Sequence, residues 1–551
     1  MSKDYSFNVM PSVSISRSRF ARKSQHKTSF NMGQIIPVYV DEVLPGDTRS
    51  IDMASLVRMS TPIAPIMDNI YLDFYAFFVP NRLVWVHWKE FMGENNASAG
   101  IPSVSYSVPV IENSYNVLNS RATSGSYADY CGLPINASFN NAKISALPFR
   151  GIALIYNEWF RNQNIIAPLA IQTGDVNEVI VGERANNAVI FPCNASAILK
   201  ASKLADYFTK GLPYAQKGAA VTIPLGTSAP ILTTQELAGQ TGLNRYNGQL
   251  YFAQTSGAPT SGTGATYETD GKLGDSSGLS KGIRLENFVA DLRNATAASI
   301  NQLRYAFQLQ KLLEKDALYG SRYWEILAAH FGIKAPDASL QRPEYLGGYR
   351  QRINIDQVLS TAGYDDTAAN QEVGKPGANS VTGGKFSLFT KSFTEHGYLF
   401  ILAVARHDQT YCQGINRMWT RQNRFDFYFP VFANLGAQEI KNKEIFFSGS
   451  ASTDELVFGY QEAWAEYRYK PSKATGLLNP SISGSLGYWT LTNNFLVLPT
   501  LGQNFIEQDR DAISRVLQTG MMGPDFIADF AFNDIAVKPC QKSFHPLPVL
   551  K

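Results

Sequence analysis

The run Ile70-Tyr71-Leu72-Asp73-Phe74-Tyr75-Ala76-Phe77-Phe78 does most to limit what this chain can fold into. Successive side chains of a strand point to opposite faces, so a strand with one wet face alternates apolar and polar residues. Here both alternating sets are largely apolar or aromatic. Such a strand has to be covered on both sides, as inside a sandwich that carries a further layer. Gln34–Asp41 reads as an earlier strand, with the turn signal Pro45-Gly46-Asp47 between the two. Further strand candidates are Tyr398–Arg406, Arg424–Val431 and Phe495–Leu498, hundreds of residues away. Strands at both ends of a 551-residue chain make one sheet system only by non-local pairing, as Greek-key and jelly-roll sandwiches do. Abundant Gly, Pro, Tyr and Phe with 17% charged residues agree with a mainly β chain joined by irregular connections.

Helices are expected only as additions to that scaffold. Asn81 after Pro80 is placed to cap a short helix holding Val84, Trp85, Trp88 and Phe91. Apolar spacing predicts a helix over Leu292–Tyr319, with Ile300, Leu303 and Phe307 along one side. Ser321 is then placed to cap a second, containing Tyr323, Trp324, Ile326, Leu327 and Phe331 and ended by Gly332. Gly226–Gly282 differs in character: glycine, serine and threonine dominate Gln254–Ser280, and bulky aliphatics are scarce. It reads as a long exposed excursion from the core.

Charge is unevenly placed. The formal total is +3, yet residues 1–40 carry Lys3, Arg17, Arg19, Arg22, Lys23 and Lys27 against Asp4 alone, a local +5. By subtraction, everything after residue 40 sums to −2. Residues 1–33 are polar, Ser-rich and basic, and read as an extended or disordered arm. Arg17, Arg19, Arg22, Lys23 and Lys27 suit phosphate neutralisation with counterion release, and Phe20 suits stacking on an unpaired base. Arg417, Arg421 and Arg424, just before Phe425, form a second basic group. They serve either as phosphate contacts or as interface arginines. Trp85, Trp88, Trp159, Trp419 and Trp464 sit in aromatic or basic blocks of the composition that buried interface centres favour, and core packing explains each equally well.

Catalytic and metal signatures are lacking. No phosphate loop, H-E-x-x-H zinc helix or G-x-S-x-G elbow occurs. His396 and His407 stand at opposite ends of a strand, roughly 36 Å apart if extended, too far for one ion. Asp270 and Asp275 lack the spacing and closing Glu of a calcium loop. Cys131, Cys193, Cys412 and Cys540 are far apart in sequence, which argues against a disulfide framework and suits a reducing cytoplasm. The start lacks an apolar signal run, no stretch approaches a membrane span, and the Asn-x-Ser/Thr sites at Asn96, Asn136, Asn194 and Asn294 read as chance. Neither an enzyme, a cofactor nor a metal is expected.

Four blocks carry a resemblance: Arg342-Pro343-Glu344-Tyr345-Leu346-Gly347-Gly348, Ile155–Arg161, Asn416–Arg421 and Trp464–Lys473. Their order and wording resemble the major capsid protein of the Microviridae, small single-stranded-DNA bacteriophages, and within them the gokushovirus branch. The likeness runs from about Asn31 to the C-terminus and weakens between about Gly226 and Gly282. It implies an eight-stranded jelly-roll β-sandwich of the viral capsid type, formed by residues 34–225 and 283–551 with long insertions and a few helices. Residues 226–282 would then be a surface protrusion at the shell's three-fold axes, available to a host surface receptor. It further implies a T=1 icosahedral virion of 60 copies around a circular single-stranded DNA genome, assembled in the bacterial host cytoplasm. The implied partners are a small basic DNA-packaging protein, an internal scaffolding protein and a minor pilot protein. A surface-binding β-sandwich, such as a lectin-like or fibre protein, would use the same strands and loop, and a β-rich carbohydrate-active enzyme ranks behind it.

Overall fold

In a computed structural model of the chain, the described residues are 15–94, 105–112, 123–135, 143–179, 195, 198–222, 300–361, 374 and 376–540. Six short strands between 231 and 290 are added to these. Eight long strands form the scaffold: β1 (Ser18–Phe30), β2 (Ile36–Val43), β3 (Thr48–Met59), β4 (Ile70–Pro80), β5 (Glu344–Arg352), β6 (Val381–Ser392), β7 (Gly397–His407) and β8 (Phe526–Lys538). They make two antiparallel sheets, ordered β1-β8-β3-β6 and β5-β4-β7-β2. Each sheet interleaves early and late strands, which is the jelly-roll arrangement.

β4 explains the layers. Leu72, Phe74, Ala76 and Phe78 face the other sheet, where the Phe74 ring lies 5.3 Å from Phe386 of β6 and 5.6 Å from Phe530 of β8. The opposite face meets a helix, Leu147–Ile155, that widens into a π-helical turn, Tyr156–Phe160. There Phe77 lies 5.5 Å from Trp159, and Tyr75 lies 5.3 Å from Phe160. Gly151 permits that approach, since a Cβ there would stand 3.0 Å from the Phe400 ring of β7. At up to about 3 kcal/mol for each fully buried aromatic, the double cover is what holds this strand at the centre. Asp73 is the exception in the run. Arg350 of β5 grips it with two hydrogen bonds, at 2.5 and 3.0 Å, and Arg406 of β7 adds another, so its charge is matched by both neighbouring strands.

A buried ionic cluster joins the two sheets. Arg49 of β3 is 0% exposed and donates through Nε (3.0 Å) and Nη2 (2.5 Å) to Asp534 of β8, itself 1% exposed. The same Nη2 reaches Asp41 of β2, in the opposite sheet, at 2.5 Å. Arg22 of β1 donates to Asp41 at 2.5 Å, and Lys538 donates to Asp47 at 2.8 Å. Three cations thus face three carboxylates. Burial alone would raise the Asp41 pKa, but hydrogen bonds from Arg22 and Arg49 hold it below the usual carboxylate value.

The Arg342–Gly348 block proves to be a junction. The Arg342 guanidinium lies 4.4 Å from each of the rings of Trp159 and Trp324, which stack on one another at 6.3 Å, while its Nε donates to Asp337 at 2.8 Å. Trp159 Nε1 donates to the Pro343 carbonyl at 3.1 Å. The strand then bulges against β4 between Tyr345 and Gly347. Gly347 has φ +154°, and a Cβ there would stand 2.6 Å from the Leu388 carbonyl oxygen.

Several sequence expectations need correction. Residues 18–30, read as part of a free arm, are the edge strand β1, paired along its whole length with β8. Arg424–Val431 is not a strand: two 3-10 turns, Arg424–Asp426 and Pro430–Phe432, interrupt it, and it pairs with no strand among the described residues. Phe495–Leu498 has no strand structure either. Arg322 rather than Ser321 caps Tyr323–Ile326, whose continuation Leu327–Phe331 is a π turn ended by Gly332 at φ +69°. The helical segment after Pro80 is two separate turns, Asn81–Val84 and Trp88–Phe91, with Asn81 inside the first. The long helix is described over Ile300–Tyr319; of its residues only Ala317 is buried, and Ile300, Leu303 and Phe307 are uncovered.

Gly218–Leu313 forms a second compact unit. In it 231–233 pairs with 288–290, 252–254 with 283–285, and 266–267 with 273–274, all antiparallel. This nested ladder takes the chain out and back. Asp270 and Asp275, the four Asn-x-Ser/Thr sites and Cys193 lie outside the described residues.

Candidate functional site

β1 turns the basic segment into a ruled surface. Alternation places Arg19, Lys23 and Lys27 on the outer face of the β1-β8-β3-β6 sheet, roughly 13 Å apart along the strand. Register adds Arg58 of β3 and Lys385 of β6 to the same face, against Asp52 and Asp529. Five cations against two carboxylates leave that face basic. A shallow depression of about 460 Å³ on it is lined by Lys23, Gln25, Asp52, Lys385, Ala531 and Asn533 among others. Arg17, Arg19, Lys23 and Lys27 are exposed, and none has an ion-pair partner among the described residues. Arg22 differs, because Asp41 engages it in the cluster beneath. Arg58 and Lys385 carry no sequence signal, since only the pairing register brings them to this face.

The second basic group is placed otherwise. Arg417 donates to Glu444 through Nη2 at 2.6 Å, and Arg421 donates to Glu466 at 2.9 Å. Both side chains are largely buried, and Arg421 also lies 4.6 Å from the Tyr467 ring. Burial would lower the Arg417 pKa, but Glu444 and its neighbours hold it above its ordinary value. These two charges are occupied inside the protein, which favours the structural reading of the pair over phosphate contact. Arg424 is exposed, 5.5 Å over the Phe429 ring.

The tryptophans divide in the same way. Trp85 is fully buried and donates to Asp175 at 2.7 Å; Trp88 packs on Trp85 and His396; Trp159 belongs to the Arg342 junction; and Trp464 is buried, donating to the Phe432 carbonyl at 3.0 Å. Trp419 alone of the five is open, 73% exposed. Core packing therefore accounts for four of them.

Catalytic chemistry has little to work with. Among the described residues no group of three or more His, Cys, Asp or Glu could hold a metal ion, and no helix is long and apolar enough to cross a membrane. Cys131, Cys412 and Cys540 are unpaired, and burial pushes the Cys131 thiol up to about 12.

The chain matches the family described as "Capsid protein (F protein)" over residues 8–546. It belongs to that capsid family. The family is structural, not enzymatic. Phage relatives extend the match across the fold just described. "Capsid protein VP1" of Bdellovibrio phage phiMH2K is 39% identical over 97% of this chain and 96% of its own length. The proteins of the same name from Chlamydia phage 1 and Spiroplasma virus 4 are each 36% identical, covering 97% and 93% of this chain and 96% and 92% of theirs. Coverage this complete makes the protein a major capsid protein of the gokushovirus type, and the jelly-roll sheets are the capsid family's scaffold here.

Proposed function

We propose that 60 copies of this capsid protein close a T=1 icosahedral shell around a circular single-stranded DNA genome. The basic face of the β1-β8-β3-β6 sheet looks inward in this arrangement. The observation that carries the inward reading is the sheet face itself: the other sheet is covered by the Leu147–Phe160 helical layer, while this one, among the described residues, carries no such layer and presents cations without ion-pair partners in a regular row. The likeness to gokushovirus capsid proteins supports the rest of the assignment. A small basic DNA-packaging protein, an internal scaffolding protein and a minor pilot protein act with it in the host cytoplasm, and the 226–282 insertion meets the host receptor. The nested ladder of Gly218–Leu313, a unit that leaves and rejoins the chain, suits a projecting element.

Electron microscopy with sedimentation, on the chain made alone and with its neighbouring phage genes, tests the shell. Uniform closed particles are expected, and particles trimmed of Gly239–Gly278 should form but attach poorly to host cells. Only small species with saturable glycan binding, with the partner proteins present, would move the assignment to a surface-binding sandwich.

Replacing Arg17, Arg19, Lys23 and Lys27 with Ala, and leaving Arg22 in its cluster, should weaken single-stranded-DNA binding without unfolding the sheet. Four fewer phosphate contacts should flatten the slope of log affinity against log salt by about 3. Identical slopes for the two proteins would remove β1 from the DNA surface.

A further inference from the structure

We infer that the segment Asn416–Leu435 is a preformed docking lobe whose occupant is a second copy of this chain. The inference rests on the capsid reading and goes beyond it by naming the contact.

The lobe consists of three 3-10 turns, Arg417–Trp419, Arg424–Asp426 and Pro430–Phe432. It is firmly held. The Asn416 side chain accepts from the Met418 N–H at 3.0 Å, and Asp426 accepts from the Gln422 and Asn423 N–H groups at 2.9 and 2.7 Å. From below, Arg417 and Arg421 tie it to Glu444 and Glu466, and Trp464 donates to the Phe432 carbonyl. Trp464 keeps a left-handed φ of +64°, a conformation that persists only where the surroundings enforce it.

What this frame presents is apolar. Trp419 is 73%, Phe425 71% and Val431 88% exposed, and Met418, Phe427 and Leu435 are exposed beside them in sequence. At about 150–250 Å² for a whole aromatic side chain, Trp419 and Phe425 alone leave roughly 200–350 Å² bare. The other four take the surface towards or past the few hundred Å² a free monomer ordinarily shows, and towards the ~800 Å² each partner gives to a standard interface.

Charge selects the occupant. Of the lobe's arginines, Arg417 and Arg421 are neutralised underneath, and Arg424 alone has no carboxylate partner among the described residues. A nearly uncharged aromatic surface is poorly suited to a phosphate chain, whereas an aromatic and arginine composition is that of protein–protein interface centres. In a shell built of identical subunits, the protein surface at hand is another copy. Rigid, pre-ordered aromatics also reduce the ordering cost of each repeated contact.

The test combines two measurements on the full-length protein under conditions where the wild type closes. In oxidative footprinting, Met418 and Trp419 should be labelled at least 5-fold less in particles than in free protein, in DNA-free and DNA-filled shells alike. The variant Trp419→Asp/Val431→Asp, whose changes lie on exposed positions, should keep the wild-type circular dichroism and lose at least 10-fold in particle yield. Equal labelling in free and assembled protein would overturn the inference. Protection confined to DNA-filled shells would also overturn it and assign the lobe to the genome. Full assembly of a folded variant would overturn it while leaving the capsid reading intact; a wild type that never closes would instead count against that reading.

Discussion

Arg49→Met is expected to cost about 3–5 kcal/mol of folding stability, measured by denaturant unfolding of the unassembled protein. The whole stability of a native domain is only about 5–15 kcal/mol, so the variant should lose a large share of it and unfold at a clearly lower denaturant concentration. The loss comes less from the missing attraction than from what remains. Asp534 and Asp47 stay buried beneath the β1-β8-β3-β6 sheet with one cation fewer, and a buried carboxylate without a partner is far costlier than a paired one. Arg49→Lys should recover little, because one ammonium cannot span Asp534 and Asp41 as the guanidinium fork does. The dependence on pH has a definite sign. Asp41 has its folded pKa depressed, so its contribution is complete above the unfolded value of about 3.9 and is lost as pH falls through the folded value. The stability gap between wild type and variant should therefore hold from pH 7 to about pH 4 and narrow only below that, as Asp41 takes up a proton. A gap below about 1 kcal/mol at pH 7, or one that widens in acid, would show that the cluster does not stabilise the join between the sheets.

Arg342→Ala should be the next largest, at about 2–4 kcal/mol. The substitution removes two cation–π contacts at partly desolvated rings, each worth roughly 0.5–2 kcal/mol, and leaves Asp337 without its cation, holding only the Tyr345 N–H at 3.1 Å. It also uncouples three elements, since Trp159 comes from the π turn, Trp324 from the Tyr323–Ile326 helix, and Arg342 leads into β5. Arg342→Lys should retain less than half of the stabilisation, as a compact ammonium does not contact both indoles and Asp337 at once in the way the planar guanidinium does. A double-mutant cycle with Trp324→Leu should give a coupling of at least about 1 kcal/mol. Additive losses would mean that the arginine acts through Asp337 alone.

The sequence made legible those parts whose side-chain pattern is self-contained. β4 and β7 were readable because both of their faces are apolar, and Gly332 marked a helix end by a left-handed residue. The Arg342–Gly348 block was conspicuous before its role was evident, since the stacking of Arg342 depends on two tryptophans that are distant or 18 residues off in the chain. β3 and β8 alternate cleanly in the structure, but Arg49 and Asp534 fall on their buried faces and dilute the apolar signal at the points where the ion cluster forms. The opposite error arose at Phe425, Phe427 and Phe429. Their period-two spacing is that of a strand, yet with no partner ladder among the described residues the backbone turns at Pro430, leaving Phe425 and Phe427 exposed and Phe429 half-buried. The basic residues near the N-terminus were visible as charge, while their division into a surface row and the inward Arg22 required the register with β8.

That register also sets a schedule. β8 lies between β1 and β3, so both pairings wait for residues 526–538. At about 5–20 residues per second, roughly half a minute to two minutes separates the synthesis of β1 from that of its partner. Until then the first strand has nothing to lie against, and its alternating cations keep it in water. A subunit whose translation stops before residues 526–538 lacks the strand that joins β1 to β3, and its first strand stays a loose, water-soluble end that no sheet has claimed.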